Sequence, residues 1–181
     1  MKRNLLLLFF VGFLGLGGQA KGVAATAITD GFITTWMTDA ANQSIVIPIN
    51  TTYAGQYAYA VDWGDGITSS NQTGNATHAY ANPGSHTVTI TGDFPAIEMY
   101  NTISVTGNNQ RLVTVDQWGN GTWKGMSNAF RFCQNLTTVP NTNGPIFAPN
   151  SSLVGMFYDC SQLICDLNLW DMTNVINISQ M

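Results

Sequence analysis

Two carboxylates bracket a Trp-Gly pair in the run Val61-Asp62-Trp63-Gly64-Asp65-Gly66, and carboxylates on a glycine turn are the usual start of a calcium site. Ca²⁺ takes about six to eight oxygen ligands, whereas this turn supplies only Asp62 and Asp65 as carboxylates. The pair is therefore a weak metal candidate, and bonding of Asp65 to neighbouring backbone N–H groups is the preferred reading. His78 and His86 have the right chemistry for a general base or a metal ligand. With no glutamate beside them and the cysteines far along the chain, packing in strands and turns is expected instead. Cys133, Cys160 and Cys165 lack the paired C-x-x-C spacing of a zinc site. Glycoside hydrolysis needs two carboxylates across a cleft, and Glu98 is the single glutamate among scattered aspartates. Neither a G-x-S-x-G elbow, an H-E-x-x-H helix, a Walker loop nor a dinucleotide fingerprint is present. No catalytic residue and no cofactor is assigned, and an enzyme is not expected.

The elements that carry these side chains belong to a chain of 181 residues in which 9% are charged, against roughly 25% in an ordinary soluble domain. Its 45% apolar content is enough for a buried core and excludes a disordered tail. A net charge of −4 with six scattered basic residues excludes nucleic acid as a partner, since phosphate contacts require clustered Lys and Arg. The chain opens with Lys2 and Arg3, then an uncharged run from Leu5 to Gly18, which has the form of a secretory leader. A membrane-spanning helix needs about 20 apolar residues, so the run is too short, and no span is expected after its removal. Small-residue sites place cleavage after Ala20 or, alternatively, after Ala25. Cutting after Ala20 leaves four basic and ten acidic side chains, a mature charge of −6. The first cysteine is Cys133, so the new N-terminus offers no thiol for a lipid anchor.

From residue 27 to 106 the apolar pattern has period two. Ile45, Ile47 and Ile49 alternate, then Tyr57, Tyr59, Val61 and Trp63, then Val88 and Ile90, each run bounded by Gly, Asn, Asp or Pro. Short half-buried strands without helical periodicity predict a β-sandwich. Val61-Asp62-Trp63-Gly64-Asp65-Gly66, then Thr77-His78-Ala79-Tyr80, then Pro83-Gly84 and Thr87-Val88-Thr89-Ile90 occur in an order that resembles the polycystic-kidney-disease (PKD) domain family. The resemblance implies a non-catalytic, Ig-like spacer or interaction module.

From residue 107 to 181 the vocabulary changes to a repeat. Met126 to Leu136 matches Leu153 to Leu163 at an offset of 27, and a third copy begins at Ile178-Ser179-Gln180-Met181. The frame Ala129-Phe130-x-x-Cys133-x-x-Leu136-x-x-Val139 looks like that of BspA-like leucine-rich repeats, and Asn168-Leu169-Trp170-Asp171-Met172-Thr173-Asn174-Val175 resembles a second run of that family. The likeness covers about Ile33 to Met181 and implies a BspA-family surface protein, its repeat array truncated in the third copy. In such a repeat Leu136 and Val139 lie on a short strand, while Met126, Phe130, Met156 and Phe157 anchor a turn in the core. Cys133 and Cys160 hold equivalent positions, either as stacked buried thiols or as partners in a disulfide that leaves one cysteine over.

The fold class expected is thus mainly β: a PKD-like β-sandwich followed by a short α/β solenoid of leucine-rich repeats. The function expected is secreted or cell-surface adhesion or recognition of extracellular proteins or glycans. The alternatives are an ancillary module of a secreted hydrolase and a truncated copy without activity of its own. Eight N-x-[ST] sequons, at Asn42, Asn50, Asn71, Asn75, Asn120, Asn135, Asn150 and Asn177, bear on glycosylation only in a eukaryotic secretory route.

Overall fold

Phe32, Thr34, Trp36 and Thr38 alternate along one strand, and all four are buried. β-branched and aromatic side chains favour the pleated backbone, and the row they form faces the core. This strand, β1 (Ile28–Thr38), is central to the computed structural model, which describes residues 27–102 and 107–181. The leader assigned to residues 1–20, with its alternative end at residue 25, lies outside the described residues. Along the chain follow β2 (Gln43–Ile47), β3 (Ala58–Asp62), β4 (Thr68–Gln72), β5 (Ala76–Tyr80), β6 (Gly84–Asp93) and β7 (Leu112–Gln117). The short β8 (Thr122–Trp123), β9 (Ile146–Phe147), β10 (Ser151–Ser152) and β11 (Val175–Asn177) complete the strands.

Five strands form an antiparallel sheet in the order β4-β3-β6-β1-β7, and β2 pairs with β5 in a separate antiparallel ribbon. The protein is mainly β, with open antiparallel sheets consistent with a β-sandwich. Register sets Phe32 opposite Ile90 and Ile90 opposite Val61, so one buried row crosses three strands. The Trp36 indole donates to Thr34 Oγ1 at 2.8 Å, which satisfies a polar atom that burial would otherwise leave unpaired. β2 departs from the half-buried pattern, because Ile45, Val46 and Ile47 are all buried. The reason is Asn108, whose amide accepts from Val46 N–H at 2.8 Å and donates to Val46 C=O at 3.1 Å. A side-chain amide thereby takes the place of a neighbouring strand.

β7 bonds on both edges. One edge is antiparallel to β1, with Thr34 opposite Val115 and Trp36 opposite Leu112. The other is parallel to the segment after the first repeat, where Thr137 N–H donates to Val113 C=O at 2.9 Å and Val115 N–H to Thr138 C=O at 3.1 Å. Ile164 N–H donates in turn to Thr137 C=O at 3.1 Å. The hydrogen bonding therefore continues across Gly107, where the sequence vocabulary changes.

Beyond β7, equivalent segments lie side by side. The N–H groups of Met126, Asn128, Phe130 and Phe132 donate to the C=O groups of Ser152, Val154, Met156 and Tyr158, each at 2.9 Å. Leu153 and Gly155 N–H donate onward to Asn177 and Ser179 C=O at 2.8 and 2.9 Å. Met126, Phe130, Cys133, Leu136 and Met156 are fully buried, and Phe130 stacks on Phe157 with centroids 5.7 Å apart. One hydrophobic core joins both parts, since Phe32 contacts Trp118 and Trp123, and Trp118 contacts Phe130 and Trp170.

The turn after β3 depends on glycine. Gly64 has φ +78°, and a Cβ there would lie 2.2 Å from Thr87 C=O; Gly66 has φ +90° with open space around it. Gly66→Ala is expected to cost about 1–2 kcal/mol for left-handed backbone alone. Gly64→Ala adds a clash with backbone that cannot rotate away, so its loss is expected to exceed that of Gly66→Ala by about 1–3 kcal/mol. Urea unfolding of the two variants measures the difference, and equal losses would refute the close approach at Thr87.

Candidate recognition surface

The residues singled out for chemistry are held in structural roles. Asp62 Oδ1 accepts from Gly64 N–H at 2.9 Å, and Asp65 Oδ1 accepts from Ile67 N–H at 3.1 Å. The other Asp65 oxygen lies 2.7 Å from His78 Nε2, tying the turn to β5. Tyr80 OH donates to Trp63 C=O at 2.8 Å, and His78 stacks on the Trp63 ring. On the far side His86 stacks on Tyr80 with centroids 3.5 Å apart, and its Nε2 lies 2.9 Å from Thr38 Oγ1. Two carboxylates engaged in turn bonds do not make a calcium cage. Among the described residues no three His, Cys, Asp or Glu side chains come together as metal ligands.

The cysteines are free thiols in graded environments: Cys133 buried, Cys160 half-buried, Cys165 exposed. Burial pushes the Cys133 thiol well above its ordinary range, and Cys160, whose Sγ lies 3.0 Å from Phe130 C=O, is pushed to about 12 chiefly by desolvation. Desolvation, helped by Asp166, raises Cys165 as well. A nucleophilic cysteine requires the opposite shift.

A different group gathers on the outside of the repeated segments. The Arg131 guanidinium carbon lies 4.3 Å from the Tyr158 ring centroid, 5.1 Å from Phe132 and 5.2 Å from Tyr100. These are cation–π distances, and three rings share one cation. Arg131 Nε is buried with no hydrogen-bond partner among the described residues, while Nη1 donates to Asn128 Oδ1 at 3.1 Å. Phe132 stands edge-on to Tyr158 at 5.9 Å and tilted to Tyr100 at 6.2 Å. Tyr100 is 46% exposed and Tyr158 41%. Beside them Gln134 Nε2 donates to Asp159 Oδ2 at 2.9 Å.

The backbone beneath this group is unusual. Asn128 and Phe132 have φ +55° and +63°, and their equivalents at offset 27, Gly155 and Asp159, have φ +62° and +60°. Glycine, asparagine and aspartate tolerate the left-handed region, but a bulky aromatic there is a genuine outlier. Such a conformation costs about 1–3 kcal/mol and persists where the surroundings impose it.

Sequence comparison alone missed these residues because they occupy the variable positions of the frame. At offset 27 Phe132 aligns with Asp159 and Arg131 with Tyr158. The bonding ladder shifts this by one residue, so that Phe132 N–H meets Tyr158 C=O and the two rings become neighbours. The signal present in the sequence is compositional: Arg131-Phe132 and Tyr158 at the variable positions between the repeat's Phe and Cys. No protein-family model, curated protein or solved structure matches the chain.

Two outcomes follow from the titratable groups. Desolvation opposes charge on Asp65, but the bonds from His78 and Ile67 N–H outweigh it and hold the carboxyl below its usual range. Its contribution to stability is present above the ordinary carboxylate pKa and is lost as pH falls through the lowered one. Desolvation also lowers His86, so the folded state resists its protonation and loses stability once pH drops below about 6.5. The melting temperature is expected to be level near neutrality and to decline in two stages on acidification. His86→Phe, which keeps a ring on Tyr80, removes the upper stage; an unchanged profile would contradict the assignment. For the thiols, a disulfide reagent added to the folded, reduced chain is expected to modify Cys165 first and Cys133 only on unfolding. Mass mapping of the labelled peptides reads the order, and early labelling of Cys133 would contradict its burial.

Proposed function

We propose that the chain is a secreted or cell-surface, non-enzymatic recognition protein: a PKD-like β-sandwich followed by BspA-like leucine-rich repeats whose outer surface contacts extracellular proteins or glycans. The leader-like N-terminus supports export, and the repeat frame, bonded coil to coil, supports the solenoid reading. The observation that carries the recognition role is the ring cluster of Tyr100, Phe132 and Tyr158 around Arg131, built on a left-handed Phe132. Exposed aromatic side chains fixed in place are the usual anchors of a binding surface, because little side-chain entropy is lost on contact. Phe132 is half-buried, and its strained backbone holds the ring between Tyr100 and Tyr158.

The mature chain, immobilised and presented with extracellular-matrix proteins and glycans, is expected to bind saturably. Phe132→Asn relieves the left-handed strain while removing a ring. Its unfolding free energy is expected to stay within about 1 kcal/mol of the parent, whereas affinity falls about tenfold or more. Saturable binding to nothing in the panel, by protein with a native circular dichroism spectrum, overturns the recognition role.

A further inference from the structure

We propose that Asn143 is a site of spontaneous deamidation, an amide-to-acid modification that consumes only water and that alters how the repeated segments hold Trp170. This chemistry does not depend on the recognition role. Two Asn-Gly dipeptides occur in the chain, Asn120-Gly121 and Asn143-Gly144. Glycine after asparagine leaves the peptide nitrogen without a neighbouring Cβ to hinder it. The same step is therefore chemically open in each: the Gly nitrogen attacks Asn Cγ, an N–C bond forms, the Cγ–Nδ2 bond breaks and ammonia leaves with the amide proton. Water then opens the cyclic imide. Cleavage at Cγ yields aspartate on a normal backbone. Cleavage at the former backbone carbonyl yields isoaspartate, whose main chain runs through the side chain and is longer by a methylene.

The fold treats the two dipeptides differently. Asn120 is clamped: its Oδ1 accepts from Thr29 N–H at 2.8 Å, its Nδ2 donates to Thr29 Oγ1 at 2.7 Å, and its own N–H donates to Asp30 Oδ1 at 2.6 Å. Gly121 beside it is buried. Turning the Asn120 amide toward the Gly121 nitrogen means breaking both side-chain bonds to β1. Asn143 is exposed in a turn at φ +52°, and neither its side-chain amide nor the Gly144 N–H has a hydrogen-bond partner among the described residues. Attack there needs only a local turn of the backbone, and segments held by few hydrogen bonds open at low cost. The consequence lies one residue on. A Cβ at Gly144 would lie 2.6 Å from Trp170 Cδ1, so the chain passes the indole with no spare room. Trp170 is buried, its Nε1 donates to Pro140 C=O at 2.9 Å, and its ring contacts Trp118, Phe147 and Phe157. A main-chain methylene added at position 143 displaces Gly144 from this contact, whereas aspartate adds only an exposed charge.

The test is incubation of the mature chain at mildly alkaline pH, folded and in urea, with mass mapping of the peptides that carry each dipeptide. In the folded chain Asn143 is expected to convert at least about tenfold faster than Asn120, because only Asn120 must first break its clamp. In urea the two rates are expected to converge, since local sequence alone then acts. The isoaspartyl product, separated by chromatography, is expected to show red-shifted tryptophan emission, and the Asn143→Asp variant to keep the parent's spectrum. Equal rates in the folded chain, or faster conversion at Asn120, overturns the site. A rate ratio that persists in urea overturns its structural cause, and an isoaspartyl product with the parent's emission overturns the effect on Trp170.

Discussion

The backbone of Leu112 to Gln117 has to satisfy partners on two edges at once: antiparallel β1 on one side and the parallel segment around Thr138 on the other. Each edge fixes a register, and a slip of one residue would turn Leu112 and Val115 from the core to solvent. The strand meets both demands with register shifts against β1 between Ile33 and Thr34 and between Thr35 and Trp36. Such irregularities bend and twist a strand locally. The first part of the chain therefore determines where the repeated segments start, and Phe32, Trp118, Trp123 and Phe130 contact one another across the junction.

Strands whose alternation is carried by large apolar residues were legible in the sequence. Tyr59 and Val61 in β3, and Val88 and Ile90 in β6, lie on the buried face as their spacing requires. β1 is not legible, although it is paired along both edges, because threonines alternate with its aromatics and its register breaks between Ile28 and Phe32. The full burial of β2 was equally hidden, since it depends on Asn108, 62 residues away. Asp65 accepts from a neighbouring backbone N–H, as its place on a glycine turn implies, and Asp62 adds a second such bond that the sequence did not announce. The coupling of Asp65 to His78 is not legible, because the two residues are 13 positions apart and β4 and most of a hairpin intervene before the groups meet.

The repeat is visible as a frame of apolar residues; those of the first copy are buried, while Cys160 and Leu163 of the second are half-buried. Its surface was not visible, because surface neighbours are set by the stacking vector and not by alignment. Each N–H reaches a C=O one position short of the aligned residue, so side chains that align do not face one another. Tyr100 adds a second difficulty, since it precedes the first recognisable copy and enters through Met99 N–H bonding to Ala129 C=O at 3.0 Å. A short 3₁₀ turn thus acts as a preceding layer without carrying the repeat's sequence.

The low charge of the chain takes on a physical sense at this surface. Each of the three basic side chains among the described residues contacts a neutral group: Arg111 donates to Ser44 C=O at 3.2 Å, Lys124 to Gln56 Oε1 at 2.5 Å, and Arg131 meets ring faces and Asn128. These contacts leave each charge in place, but with few basic residues and a net charge of −4 the long-range field does not draw in an anionic partner. The recognition role proposed for this surface rests on contact chemistry, namely ring faces and amides, whose strength depends on rigid placement. The left-handed backbone at Phe132 and the cation shared by three rings supply that placement, and their cost is borne by a core that runs unbroken from β1 to Trp170.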